Sequence, residues 1–196
     1  MCHVSTAEAV DAVRQSRLKG ARVSCEVTPH HLWFDDKRLQ YRVNPPIRTD
    51  NDVRALVQAI KDGTVTCIGT DHAPHTAEEK EKGAAGMVGL ETAFAACYTK
   101  LCRMEGLPLE HLSFLMSAGP AAVMGLADRK GLLCPATTPT WCWWILTTCI
   151  PCTPTSCTAR ARIPLRRGNL YGRIKMTHQG RQDHPIKRPK SKEATF

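Results

Sequence analysis

Two hydrophobic periods alternate along the first half of the chain. Val10, Val13 and Leu18 recur at helical spacing, behind the capping pattern Ser5-Thr6-Ala7-Glu8 and ahead of Gly20. That spacing predicts a helix with Ser5 as its N-cap and Glu8 reaching back to it. The run 22–27, "RVSCEV", then reads as a strand that ends in a loop at Thr28–His31, "TPHH". A second helix opens at Thr49, with Asp50 and Asp52 in its first turn, where the helix dipole favours acidic groups. Val53, Leu56, Val57 and Ile60 form its apolar stripe, and Gly63 closes it. "VTCIGT" at 65–70 is a further strand, followed by a polar loop from Thr76 to Gly86. Leu90, Ala93, Phe94 and Cys97 start a third helix that ends near Gly106, and Pro120 suits the first turn of a short one.

Strands and helices in alternation predict an α/β fold with a parallel sheet and right-handed crossovers. In such sheets the working residues gather at the carboxyl ends of the strands. Counting "CHV" at residues 2–4 as a strand end, His3, Pro29–His31 and Asp71–His75 all fall there. A single histidine in such a place is ordinarily a surface or satisfied residue. Three consecutive strands that each end in His or Asp suit zinc, and a carboxylate beside the metal can take a proton from water.

The net charge of +9 first suggests a nucleic-acid partner, until it is located. Residues 1–133 hold 16 basic and 16 acidic residues, so the whole excess lies in residues 134–196. Cysteines crowd there too, at Cys134, Cys142, Cys149, Cys152 and Cys157. Two organisational units are therefore expected, 1–133 and 134–196. The scattered cysteines of the first unit, with no long apolar run and no leader pattern, fit a reduced cytoplasmic protein.

"HVST" at His3–Thr6, "EVTPHHL" at Glu26–Leu32, "NPPIR" at Asn44–Arg48, "TDHAPH" at Thr70–His75 and "GMVGLETA" at Gly86–Ala93 occur in order. Together they resemble the dihydroorotases, zinc enzymes of the amidohydrolase superfamily. The resemblance covers residues 2–133. It implies the last three β/α units of a metal-dependent (β/α)8 TIM barrel, followed by an irregular tail. It also implies the third step of de novo pyrimidine (UMP) synthesis, in which (S)-dihydroorotate and water give N-carbamoyl-L-aspartate by attack of zinc-bound hydroxide. By the match His3 and Asp71 are metal ligands, and Asp71 is the catalytic acid/base. Asn44, His75, Ala85 and Gly86 match substrate contacts. Cys2 and Glu26 occupy positions that take part in an additional zinc site in some relatives. His30, His31 and His72 match no ligand. The implied partner is a small molecule, with no nucleic acid and no membrane.

The family's other metal ligands lie on its first, fourth and fifth strands, and nothing in residues 1–133 matches those strands. The chain alone is therefore expected to be inactive, with a missing N-terminal half or a homo-oligomer supplying the rest. Two ligands fall short of the three that catalytic zinc ordinarily takes from protein. Other readings stay open: a non-catalytic remnant kept for interaction, or a related cyclic amidase such as an allantoinase or hydantoinase. A basic nucleic-acid binder rests on the run 187–192 alone.

Beyond residue 133 no helical or strand period is found. Tryptophan has one codon, so "TWCWWI" at 140–145 back-translates with little freedom. Read one nucleotide earlier, it encodes Leu-Val-Leu-Val-Asp, as the flanking β-domain of the family would. Residues 134–165, and those from 178 onward, are thus expected to be out-of-frame translation, with Leu170–Thr177 in frame. The pair Cys149 and Cys152 has C-x-x-C spacing, but no second pair accompanies it at zinc-finger spacing.

Overall fold

The computed structural model describes residues 1–133, 140–151, 169–179 and 182–184. Its elements run α1 (Ala7–Leu18), β1 (Glu26–Val27), α2 (Pro29–Trp33), α3 (Asp50–Lys61), β2 (Cys67–Ile68), α4 (Ala77–Glu81) and α5 (Ala93–Cys97). A π-helical turn, Tyr98–Met104, continues α5 directly. Then come α6 (Leu109–Met116), α7 (Ala118–Val123), β3 (Thr140–Pro151), β4 (Asn169–Gln179) and β5 (Gln182–His184).

Three segments lie side by side in parallel. β1 pairs with β2 in the register Glu26 to Cys67 and Val27 to Ile68. On the other side of β1, Glu26 N–H donates to the Met1 carbonyl and Val4 N–H donates to the Glu26 carbonyl, at 3.1 and 2.9 Å. A regular parallel ladder would reach residue 3, not 4. His3 is the extra residue, and its φ of 52° takes up the bulge. The regular strands are shorter than the sequence pattern predicts, because ladder geometry holds only where the three segments face one another.

One face of this sheet is covered by helices. Val10, Val13, Leu56, Val57 and Ile60 pack with Val27, Ile68, Leu101, Leu112 and Leu115 in a single core. The stripe expected for α3 is therefore its buried face, and Thr49 with Asp52 forms its capping box. In α1 the N-cap is Thr6, whose hydroxyl accepts from Ala9 N–H at 3.0 Å. Ser5 instead turns inward and is buried. Leu18, expected on the buried stripe, is 80% exposed, since α1 has by then run past the core. Leu90 is likewise exposed, and α5 begins only at Ala93.

The Asp52 carboxylate joins the two long helices. It accepts from Ala7 N–H at 2.9 Å as well as from Thr49 N–H and the Thr49 hydroxyl, at 3.1 and 2.7 Å. Burial alone would raise its pKa, but these donors outweigh burial and lower it. A depressed folded-state pKa stabilises above the unfolded value and is lost as pH falls through the folded value. Asp52→Ala is expected to cost about 1–2 kcal/mol at neutral pH. The difference from the parent chain should shrink as pH falls through the lowered Asp52 value. Urea unfolding at several pH values measures this.

The expectation of an irregular tail is corrected within the described residues. β3, β4 and β5 form an antiparallel sheet in that order, with breaks in register between Trp143 and Trp144 and between Ile145 and Cys149. Threonine, tryptophan and isoleucine favour extended backbone even without strict alternation. The sheet also docks. Leu170 is buried with Ala95 and Ala96, Trp144 stacks on Phe94 at 3.7 Å between ring centroids, and Tyr171 N–H donates to the Thr99 hydroxyl at 2.8 Å. Cys134, Cys152, Cys157 and the basic run 187–192 lie outside the described residues, so the C-x-x-C pair and the nucleic-acid reading go untested there. The described cysteines are free thiols, and no helix among the described residues is long and apolar enough to cross a membrane.

Candidate active site

At the carboxyl ends of the three parallel segments, four polar side chains converge. His3 Nε2 lies 3.6 Å from Asp71 Oδ1, and His30 Nε2 lies 3.8 Å from Asp71 Oδ2. His3 Nδ1 lies 2.8 Å from Glu26 Oε1, although out of line for a hydrogen bond. Among the described residues, the buried side-chain polar atoms without a hydrogen bond are His3 Nδ1 and His30 Nε2. Both belong to this cluster. The non-glycine residues at positive φ are also here, His3 at 52° and Asp71 at 47°. Such backbone costs on the order of 1–3 kcal/mol per residue and tends to mark functional sites.

The donors suit a metal. A ligating histidine commonly offers one ring nitrogen to the ion and the other to a carboxylate that fixes the ring. Glu26 is the carboxylate beside His3 Nδ1, which leaves His3 Nε2 on the side of Asp71. Glu26 thus sits behind His3. Gly69 makes room for it, since a Cβ at that position would lie 2.6 Å from the Glu26 carboxylate atoms. Gly69→Ala is expected to push Glu26 aside and weaken zinc binding by about tenfold. Because the clash meets only a side-chain tip, stability should change by less than about 1 kcal/mol. Competition with a chromophoric chelator, alongside a thermal melt, reads both. Among the described residues no group of three or more His, Cys, Asp or Glu forms a complete metal cage.

A second cluster holds His75, Ala85 and Gly86. His75 Nε2–H donates to the Ala85 carbonyl at 3.0 Å, and Nδ1 lies 3.6 Å from Glu79 Oε2. A Cβ on Gly86 would meet the Ala73 carbonyl at 2.7 Å and the His75 ring at 3.0 Å. The region expected as a loop contains α4, started by the capping box of Thr76 and Glu79. Lys80, which the sequence did not mark, ties the segment together. Its ammonium donates to the carbonyls of Arg42, Ala84 and Gly86 at 2.8, 2.8 and 2.9 Å and lies over the Tyr41 ring.

Asn44 is exposed, two residues from Arg42, whose carbonyl accepts from Gly86 N–H at 3.1 Å. The neighbouring Pro45 carbonyl accepts from His31 Nε2–H at 3.0 Å, and the Thr28 hydroxyl lies 2.7 Å from His31 Nδ1. His31 is thus fully occupied in structure. His72 Nδ1 accepts from the N–H groups of Gly89 and Leu90 at 3.1 and 3.2 Å. His30 differs, being buried with its Nε2 unpartnered. Burial, then His31 and His3, lower its pKa to about 3, so its ring is neutral. Cys2 is exposed, and the buried Cys67 thiol is pushed up to about 11 by burial, Glu26, Cys25 and Cys2.

Parallel β-segments under helices, with histidine and aspartate at the strand ends, place the chain among α/β proteins built like barrel hydrolases. Solved structures agree on the fold. A dihydropyrimidinase from Brevibacillus agri superposes with a TM-score of 0.86 at 22% identity, covering 90% of this chain and 42% of that one. An L-hydantoinase from Arthrobacter aurescens does so at 0.85 and 24%, covering 93% and 43%. Residues 1–136 match the amidohydrolase family, and the chain belongs to it. Among curated relatives, a dihydroorotase from Clostridium botulinum is 56% identical over 126 residues, covering 64% of this chain and 32% of that protein. One from Fusobacterium nucleatum is 46% identical over 139 residues, covering 66% and 33%. The chain therefore spans about one third of the length of the curated relatives it matches.

Proposed function

We propose that residues 1–133 form the carboxyl-terminal part of a cytoplasmic dihydroorotase barrel, acting on (S)-dihydroorotate in pyrimidine synthesis. The observation that carries this reading is the His3–Asp71 pair at the ends of the two segments that flank β1, with Glu26 behind His3. His3 and Asp71 would hold zinc. Bound zinc would supply Lewis acidity that polarises the ring amide and acidifies water. The Asp71 carboxylate takes the proton of the attacking water and delivers it to the ring nitrogen. The ring C–N bond breaks, the water oxygen enters the new carboxylate, and the nitrogen leaves as part of the ureido group. Asn44, His75 and the Ala85–Gly86 backbone face substrate, with Lys80 keeping that backbone in place.

Zinc at such a site ordinarily takes three protein ligands, so two donors need others from outside the described residues. They would come from a further part of a longer protein or from a partner copy. Residues 134–165 read as out-of-frame translation, which resequencing of the gene checks directly. A hydantoinase-type activity is the second reading, supported by the solved structures only through fold. The test is a chimera in which residues 1–133 replace the matching segment of the Clostridium botulinum dihydroorotase. It should hydrolyse dihydroorotate and leave hydantoins untouched, while the 196-residue chain alone does neither. A folded chimera without dihydroorotase activity would overturn the reading.

A further inference from the structure

His30 is a buried group that the reaction just described leaves unused. It is 5% exposed, and its Nε2 lacks a hydrogen bond. An unpaired buried polar atom is costly, so a partner for it is to be sought. The facing group is Asp71 Oδ2 at 3.8 Å, while Asp71 Oδ1 faces His3 Nε2 at 3.6 Å. The two carboxylate oxygens are thus divided between two histidines.

The backbone around His30 is firmly set. Thr28 caps α2, its hydroxyl accepting from His31 N–H, and Pro29 occupies the first turn. The adjacent His31 is engaged at both ring nitrogens, so α2 is anchored on one side and presents His30 on the other. The 3.8 Å separation from Asp71 is long for a hydrogen bond. Catalytic hydrogen bonds are often long in unliganded sites and shorten when the site is filled.

We propose that His30 is a positioning residue for Asp71, donating Nε2–H to Oδ2 and so turning Oδ1 toward the side of His3. This rests on the reading of Asp71 as metal ligand and proton carrier. One carboxylate oxygen is then fixed, and the other stays available.

Two measurements test this, neither of which uses substrate. The first is nitrogen-15 NMR of the metal-free chain with labelled histidine, the His30 signals being assigned by their loss in His30→Gln. The expected result is the Nε2–H tautomer, with the signal moving in Asp71→Asn. A bare Nε2 with hydrogen on Nδ1 would overturn the proposal, because His30 would then present a lone pair as a ligand does. The second is zinc affinity of the chimera by chelator competition, with circular dichroism to confirm folding. His30→Leu should weaken binding about 10- to 100-fold, and His30→Gln, whose amide N–H reaches the same place, by no more than about threefold. Equal losses in both folded variants, or no loss in either, would also overturn it. If the chimera lacks activity while His30 still donates to Asp71, the reaction fails and this inference stands.

Discussion

Asp71→Asn, placed in the chimera with the Clostridium botulinum dihydroorotase, is expected to lower turnover by about 10²- to 10⁴-fold, the usual worth of a positioned proton carrier. The loss has two sources. An amide oxygen is a poorer zinc donor than a carboxylate, and an amide cannot take the proton of water. Asparagine is the proper substitution because Asp71 sits at φ 47°, a region that asparagine tolerates better than alanine does. The backbone is then kept while the chemistry is removed. Zinc content measured beside turnover separates the two sources: retained zinc with lost turnover isolates proton transfer. Turnover within about tenfold of the parent chimera would exclude Asp71 as the proton carrier.

The location of that residue was legible in the sequence, for a physical reason. "VTCIG" is an apolar run that stops abruptly at polar residues, and parallel strands bring such stops to one edge. The same logic placed His3, although not the bulge that turns it. The cap was legible at Thr49, where an apolar stripe followed; in α1 a stripe also followed, but the cap fell one residue later than expected, at Thr6; at Thr76, with no stripe, it was missed. α4 buries no side chain, so its only signal was the pair Thr76 and Glu79. His30 and His31 could not be told apart as adjacent letters. On a helical turn they point about 100° apart, one toward Asp71 and the other toward Pro45. Lys80 looked like one charge in a polar loop, because the carbonyls it gathers come from residues 42, 84 and 86. β3 failed the alternation test at its register breaks, yet its Trp144 finds a partner in Phe94, far away in sequence.

Leu112→Ala should cost about 2–5 kcal/mol, the ordinary range for emptying a leucine site in a core. Leu112 has no exposed surface and lies on α6, which packs against β2. Leu109, on the same helix, is 39% exposed. Leu109→Ala deletes the same atoms, so the pair isolates burial from chemistry, and it should cost less than about half as much. Whole domains hold only about 5–15 kcal/mol, so the Leu112 loss is a large share of the total. Urea midpoints of the two variants decide the matter, and equal shifts would show that α6 does not present Leu112 to the core. The consequence reaches the site through the chain itself. β2 ends at Ile68, three residues before Asp71, and Ile68 shares its core with Leu112. The strained backbone at Asp71 persists only while that core holds β2 in place. Leu112→Ala in the chimera should therefore weaken zinc binding as well as stability, whereas Leu109→Ala should leave zinc binding unchanged.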